Sequence, residues 1–142
     1  MHVYRVVLFS LWVMLAGCTN VAGDKIRTVT APEGGTLPAE ALMRTAVDFF
    51  TEAGYACSPE ADSRLRCRKD IRDLYIHQTH TVVEVFPEGD SDGSDRYLLI
   101  ATRWDEGMIP GEFISSEFAN ADVADFCAAL QVSEQGLCRI EE

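Results

Sequence analysis

Cysteines carry the clearest chemistry in this sequence, because a thiol can form a disulfide, bind a metal or accept a lipid. The chain has five of them. Cys18 follows an apolar N-terminal segment, and the other four are Cys57, Cys67, Cys127 and Cys138. Zinc sites usually contain paired C-x-x-C spacings. No such pair occurs in the sequence, so metal binding by these cysteines is disfavoured.

The four later cysteines predict two disulfide bonds. An even number of cysteines is typical of proteins in oxidising compartments, and four cysteines allow three pairings. We favour Cys57–Cys67 and Cys127–Cys138, because each pair is close in sequence and flanks one candidate turn. A hairpin around the first pair would bring its Cα atoms within the roughly 4.4–6.8 Å that a disulfide needs.

The N-terminal segment has the features of an export signal. Arg5 supplies a positive charge, residues 6–14 form an apolar run, and small residues follow that run. The run is shorter than the roughly 20 residues that a membrane-spanning helix requires. We therefore expect residues 1–17 to be a signal peptide rather than a transmembrane helix.

The residues Leu15-Ala16-Gly17-Cys18 resemble the lipobox of bacterial lipoproteins at all four positions. The resemblance implies that Cys18 receives a diacylglyceryl group, that cleavage precedes Cys18, and that an acyl chain such as palmitate is added to the new amine. In that family an aspartate after the cysteine favours the inner membrane. Thr19 therefore implies the outer membrane, with the domain facing the periplasm. The alternative is an ordinary signal peptide that ends in a chance cysteine.

Composition divides the remaining chain into two parts. Residues 18–35 are small and polar and contain Pro32 and two glycines, which predicts a lipidated flexible stalk. A short strand around residues 25–29 is the alternative. Residues 36–142 are long enough for one disulfide-containing domain with a hydrophobic core.

The basic residues concentrate in one stretch, where Arg64, Arg66 and Arg68 alternate with Leu65 and Cys67. Alternation predicts a strand with the three arginines on one face. Such a face could bind an anionic group of the envelope, such as a carboxylate or phosphate. The alternative interpretation is a solvated strand face balanced by neighbouring acids.

Two further patterns suggest metal binding only weakly. Asp90, Asp92 and Asp95 resemble a calcium loop, but the positions that an EF-hand needs for its third acid, its glycine and its final glutamate do not match. A hairpin turn explains these residues better. His77 and His80 fall on opposite faces of a regular strand, which disfavours a joint metal site.

Candidate catalytic residues are few. Asp105-Glu106 is a pair of acids in a predicted loop, and Ser115-Ser116 has no marked base beside it. No signature of a hydrolase, a metalloprotease or a nucleotide-binding enzyme occurs. We therefore predict a protein that is not an enzyme and needs no cofactor. The net charge of −11 also disfavours nucleic-acid binding.

Hydrophobic periodicity predicts the main elements. Apolar residues at helical spacing predict a helix over residues 37–53, capped by Thr36, and a second over residues 121–131, capped by Asn120. Several strands are expected between them. The last of these strands is expected to turn some side chains to the core (Leu98, Ile100 and Trp104) and others to solvent (Tyr97 and Arg103).

The order of elements predicts an α+β fold. We expect a two-layer sandwich in which an antiparallel sheet of three to five strands carries the N-terminal and C-terminal helices on one face.

Location and architecture together predict a lipid-anchored cell-envelope protein. Its domain is expected to be a non-catalytic interaction or assembly-accessory module, bound to the membrane and to an envelope protein. One alternative is a ligand- or calcium-binding protein that uses the Asp90/Asp92/Asp95 loop or the arginine face. A second alternative is an enzyme that acts on the cell wall.

Overall fold

The computed structural model describes residues 18–61, 63–73, 77–89, 95–108 and 117–141. Within these ranges the chain forms seven strands and two helices. In chain order they are β1 (Cys18–Gly23), β2 (Arg27–Thr30), α1 (Ala39–Glu52), β3 (Ala56–Glu60), β4 (Arg64–Asp73), β5 (His77–Pro87), β6 (Arg96–Met108), α2 (Ala121–Val132) and β7 (Leu137–Ile140). The fold is therefore α+β, as predicted.

The described strands form one antiparallel sheet in the order β3-β4-β5-β6-β2-β7, and β1 also pairs with β6. Because β5 occupies one edge of β6 from Tyr97 to Glu106, β1 and β2 share the other edge. The prediction of three to five strands was too low. The additional strands β1, β2 and β7 are short, and their pairing partners are distant in sequence.

Residues 18–35 do not form the predicted flexible stalk. Val21 of β1 lies opposite Trp104 of β6, and β2 lies between β6 and β7. Val29 in β2 is fully buried. These strands are too short for their side-chain alternation to be evident in the sequence. Their backbone N–H and C=O groups form hydrogen bonds only with strands that are distant in sequence. The alternative of a short strand around residues 25–29 is closer to the structure.

Helix α1 confirms the predicted periodicity and corrects its start. Its buried face consists of Leu42, Ala46 and Phe50. The N-cap residue is Pro38 rather than Thr36, and no side chain caps the helix. Pro38 is extended, with ψ of 125°, so the first helical residue is Ala39.

Helix α2 begins and ends within one residue of the prediction. The Asn120 side chain accepts a hydrogen bond from the backbone N–H of Val123 at 3.2 Å, which confirms the predicted cap. Its buried residues are Val123, Phe126 and Leu130.

Both helices pack against one face of the sheet, which we call the helix face. The rings of Phe50 and Phe126 join the two helices, with centroids 5.1 Å apart. These helices share one buried cluster with eight sheet residues: Val29, Leu65, Cys67, Val83, Val85, Tyr97, Leu99 and Ala101.

The opposite face of the sheet is covered by neither described helix, and we call it the open face. Strand registers place on it Glu60 of β3, Arg64, Arg66, Arg68, Asp70 and Arg72 of β4, Gln78, His80, Val82, Glu84 and Phe86 of β5, Arg96, Leu98, Ile100, Thr102, Trp104 and Glu106 of β6, and Val21, Thr28, Thr30 and Arg139.

The predicted orientation of β6 was wrong. Leu98, Ile100 and Trp104 lie on the open face, whereas Tyr97 lies on the helix face and is 2 % exposed. Arg103 also lies on the helix face. Apolar residues occupy both faces of β6, so alternation alone could not identify the face that packs against the helices.

Candidate functional site

Cys18 is the first residue of β1, and its Cα partner across the sheet is Met108 of β6. The register shifts between Cys18 and Asn20, and β1 then remains paired with β6 to Gly23. A lipid on Cys18 would therefore be joined to the sheet without a spacer. The predicted signal peptide, residues 1–17, lies outside the described residues.

In the part of the chain that the structure describes, no helix is both long enough and apolar enough to cross a membrane.

Both predicted disulfide bonds are present. Cys57 and Cys67 lie directly opposite each other in the β3–β4 hairpin, with Cα atoms 4.0 Å apart. Cys127 of α2 is bonded to Cys138 of β7. The second bond attaches the last helix to an edge strand. Thiols held in disulfides are not available as nucleophiles or zinc ligands.

The arginine row lies on the open face, as alternation predicted, and its members have acidic neighbours. Arg64 Nη1 is 3.6 Å from Glu84 Oε1, and Arg66 Nη1 is 3.8 Å from Glu60 Oε1. The Arg64 guanidinium also lies 4.4 Å from the centroid of the Phe86 ring. Both arginine side chains are more than 40 % exposed, so these ion pairs are in contact with solvent.

Arg68 belongs to a hydrogen-bonded cluster with Asp70 and His80. Arg68 Nε donates to Asp70 Oδ1 at 2.7 Å, and His80 Nδ1 lies 2.8 Å from the same oxygen. His80 Nε2 is 3.3 Å from Glu106 Oε2. Hydrogen bonds from Arg68 first, and from His80 second, hold the pKa of the Asp70 carboxyl below its usual range.

Cross-strand pairing continues this row toward β1. His80 lies opposite Trp104, which in turn lies opposite Val21. Val21 is 55 % exposed, and Trp104 is half-buried. The open face therefore presents a tryptophan and an exposed valine close to Cys18.

A polar junction beneath the helices was not predicted. Asn120 Nδ2 donates to the Tyr55 hydroxyl oxygen at 3.2 Å, and that hydroxyl donates to Asp122 Oδ2 at 3.0 Å. Burial, assisted by Asp122, raises the pKa of Tyr55 to about 12. Lys69 Nζ donates to the carbonyl oxygen of Ala53 at 2.8 Å. Tyr55 and Asn120 are 65 residues apart, so no local pattern could reveal the contact.

The other predicted metal-binding and catalytic residues are only partly described. Asp90, Asp92 and Ser115-Ser116 lie outside the described residues, and of His77 only the backbone is described. Asp95 is exposed. Among the side chains that are described, no three or more histidines, cysteines or acids lie together as a metal site would require.

Asp105 and Glu106 lie in β6 rather than in the predicted loop. As consecutive strand residues they occupy opposite faces of the sheet. Asp105 is 3 % exposed and accepts hydrogen bonds from Thr79 Oγ1 and Arg103 Nε, each at 3.0 Å. Glu106 is on the open face beside His80. The two acids therefore cannot act together across one cleft.

A polar cavity of about 350 Å³ lies at the edge formed by β2 and β7. Its lining residues are Thr28, Thr30, Arg96, Arg139, Ile140 and Glu141. The Thr28 hydroxyl donates to the Glu141 carboxylate, and Arg96 Nη2 lies 3.7 Å from that carboxylate. Glu141 thus already contacts Thr28 and Arg96, the donors that an anion bound in this cavity would need.

Comparison with known proteins found no match among protein-family models, curated proteins or solved structures. The function must therefore be inferred from the residues and their geometry.

Proposed function

We propose that this chain is a bacterial lipoprotein of the cell envelope, held to the outer membrane by lipid on Cys18. Its domain faces the periplasm and acts by binding another envelope component. The observation that carries the proposal is the position of Cys18, which matches the lipobox and leads directly into β1. The two disulfide bonds support export, because disulfides persist in oxidising compartments.

Binding explains the described residues better than catalysis. Asp105 and Glu106 lie on opposite faces of the sheet, and the four described cysteines that form disulfides are not free to react. The open face, in contrast, combines apolar side chains, most of them half-buried and Val82 buried, with exposed charged groups. Such a mixture is typical of surfaces that contact a partner. The net charge of −11 supports a partner other than nucleic acid.

Mass spectrometry of the protein purified from bacterial membranes tests the anchor. We expect loss of residues 1–17 and added mass for acyl chains on Cys18. Cys18→Ser should abolish both changes. The control is a variant with Cys57→Ser and Cys67→Ser, which removes two cysteines but keeps the lipobox and should remain acylated. A processed chain without lipid would contradict the proposal.

Site-specific crosslinking tests whether the open face binds another envelope component, either protein or lipid. A photo-reactive residue at Thr102, on the open face, should give reproducible adducts in cells. The same residue at Gln131, which is exposed on α2, serves as the matched control. Adducts at neither position, or equal adducts at both, would count against a binding surface on the open face.

Binding of an anionic ligand at the arginine face is a second candidate function. The observation that favours it is the alignment of Arg64, Arg66 and Arg68 on one exposed strand face. A thermal shift with an added anionic ligand would support it, since a ligand that binds only the folded state raises stability.

A further inference from the structure

We propose that the open face lies against the anionic surface of the membrane that holds the Cys18 lipid, with α1 and α2 directed away from it. This inference rests on the proposed function, because it requires the anchor. It adds an orientation and a second membrane contact, made by protein side chains, and it makes membrane lipid the envelope component that the open face binds.

Residues 18–23 provide no spacer between a lipid on Cys18 and the sheet, because they already form β1. A stalk of 17 extended residues would reach about 55–60 Å from the membrane. Instead, Cys18 is already paired with Met108. A strand rises about 3.3 Å per residue, so Val21 is only about 10 Å along the chain from Cys18. Part of the domain must therefore rest on the headgroup layer.

The open face of the sheet and the helix layer differ in the sign of their charge. Six arginines lie on the open face with four acids: Arg64, Arg66, Arg68, Arg72, Arg96 and Arg139 against Glu60, Asp70, Glu84 and Glu106. In contrast, the two helices carry five acids and one base: Glu40, Asp48, Glu52, Asp122 and Asp125 against Arg44. An anionic surface repels the helices and attracts the arginines, so the domain turns its open face to the lipid.

The acidic neighbours of the arginines leave donors for lipid phosphates. Arg64 and Arg66 are separated from their acids by 3.6 and 3.8 Å, and both are more than 40 % exposed. A guanidinium has five N–H donors in a fork that matches phosphate oxygens. One loose ion pair therefore does not exhaust either side chain.

Trp104 occupies a position suited to contact with the membrane surface. Its strand partner is Val21, which is 55 % exposed, and both lie at the end of the sheet nearest Cys18. Tryptophan is enriched at the membrane–water interface because its ring is apolar and its N–H is polar. The open face thus offers an interfacial anchor where the lipid holds the protein closest to the bilayer.

Trp104 also provides the test. The chain has two tryptophans, and the other, Trp12, lies in the predicted signal peptide. The mature lipidated protein would be reconstituted in vesicles of phosphatidylethanolamine with about 30 % phosphatidylglycerol. We expect brominated lipids to quench Trp104 emission, and about 0.5 M NaCl to reduce that quenching by screening the arginines.

Arg66→Gln and Arg44→Gln form a matched pair of variants. Each removes one exposed arginine and one acidic contact, Glu60 in the first case and Glu40 in the second. Arg66→Gln should shift the equilibrium away from the lipid-contacting state by about fivefold, as expected for one basic residue near an anionic surface. Arg44→Gln, on α1, should leave the quenching unchanged.

Three results would overturn the inference. Acylated protein in which Trp104 is not quenched would reject the orientation while the lipoprotein proposal stands. A Cys18 without lipid would reject both. Protection of Trp104 from solvent that depends on protein concentration but not on phosphatidylglycerol would show that the open face binds a second copy of the chain instead.

Discussion

Leu98 and Leu99 are consecutive residues of β6 with opposite surroundings. Leu99 is fully buried beneath the helices, whereas Leu98 is half-buried on the open face. Leu99 lies opposite Val85 and Arg27, and Leu98 lies opposite Phe86 and Thr28. β6 thus contributes to the core with one face and to a candidate contact surface with the other.

Alanine substitutions at these two leucines should separate the faces. Leu99→Ala leaves a cavity in the core and should lower the free energy of unfolding by about 2–5 kcal/mol. Leu98→Ala removes a side chain that is already partly hydrated and should cost roughly 1 kcal/mol or less. Urea denaturation measures both values. Equal losses would show that the open face is as well covered as the helix face.

Loss of the Asn120 side chain should destabilise α2. Asn120→Ala removes the N-cap bond to Val123 and the bond to the Tyr55 hydroxyl, and we expect a loss of about 1–2 kcal/mol. Gln131→Ala, at an exposed position of the same helix, should change stability by less than about 0.5 kcal/mol. A double-mutant cycle with Tyr55→Phe isolates the Asn120–Tyr55 contact. A coupling energy near zero would mean that Asn120 acts only as a cap.

The Tyr55 hydroxyl should make stability fall at high pH. The pKa of Tyr55 is about 12 in the folded protein and 10.0 ordinarily, so the folded state holds this proton more tightly. The resulting stabilisation is complete below pH 10 and disappears as pH rises through 12. Its size is on the order of 2 kcal/mol. Denaturant unfolding between these pH values should show the loss, and Tyr55→Phe should reduce it. A wild-type profile identical to that of the variant would refute the assignment.

The two disulfides should stabilise different parts of the sheet. Each closes a short loop, and removal of either should cost roughly 3 kcal/mol. Cys127→Ala with Cys138→Ala should also increase hydrogen exchange in β7 and β2, because β7 pairs with β2. Removal of the bond between Cys57 and Cys67 should affect β3 and β4 instead. Exchange that rises uniformly after either removal would contradict separate roles.

Features set by nearby residues could be predicted from the sequence. Apolar residues at helical spacing predicted α1 and α2 to within about two residues, and Asn120 was predicted as a cap. Sequence proximity also predicted both disulfides, because each joins neighbouring elements. The arginine row followed from strict alternation with Leu65 and Cys67.

Features that depend on distant partners could not be predicted. β2 has only four residues, and neither its pairing with β6 and β7 nor the burial of Val29 is evident from local composition. The predicted orientation of β6 was wrong because both faces of this strand carry apolar residues. Strands β3, β4, β5 and β6 lie between Tyr55 and Asn120 in the sequence, so only the assembled fold brings these two residues into contact.

The position of β2 has a consequence for the order of folding. Arg27 of β2 pairs with Leu99 of β6 on one side and with Ile140 of β7 on the other. β2 is therefore synthesised well before either of the strands with which it pairs. Contacts of such large sequence separation form slowly. A chain that crosses a membrane from its N-terminus would emerge with β2 unpaired, and its sheet could close only when the final strand had followed.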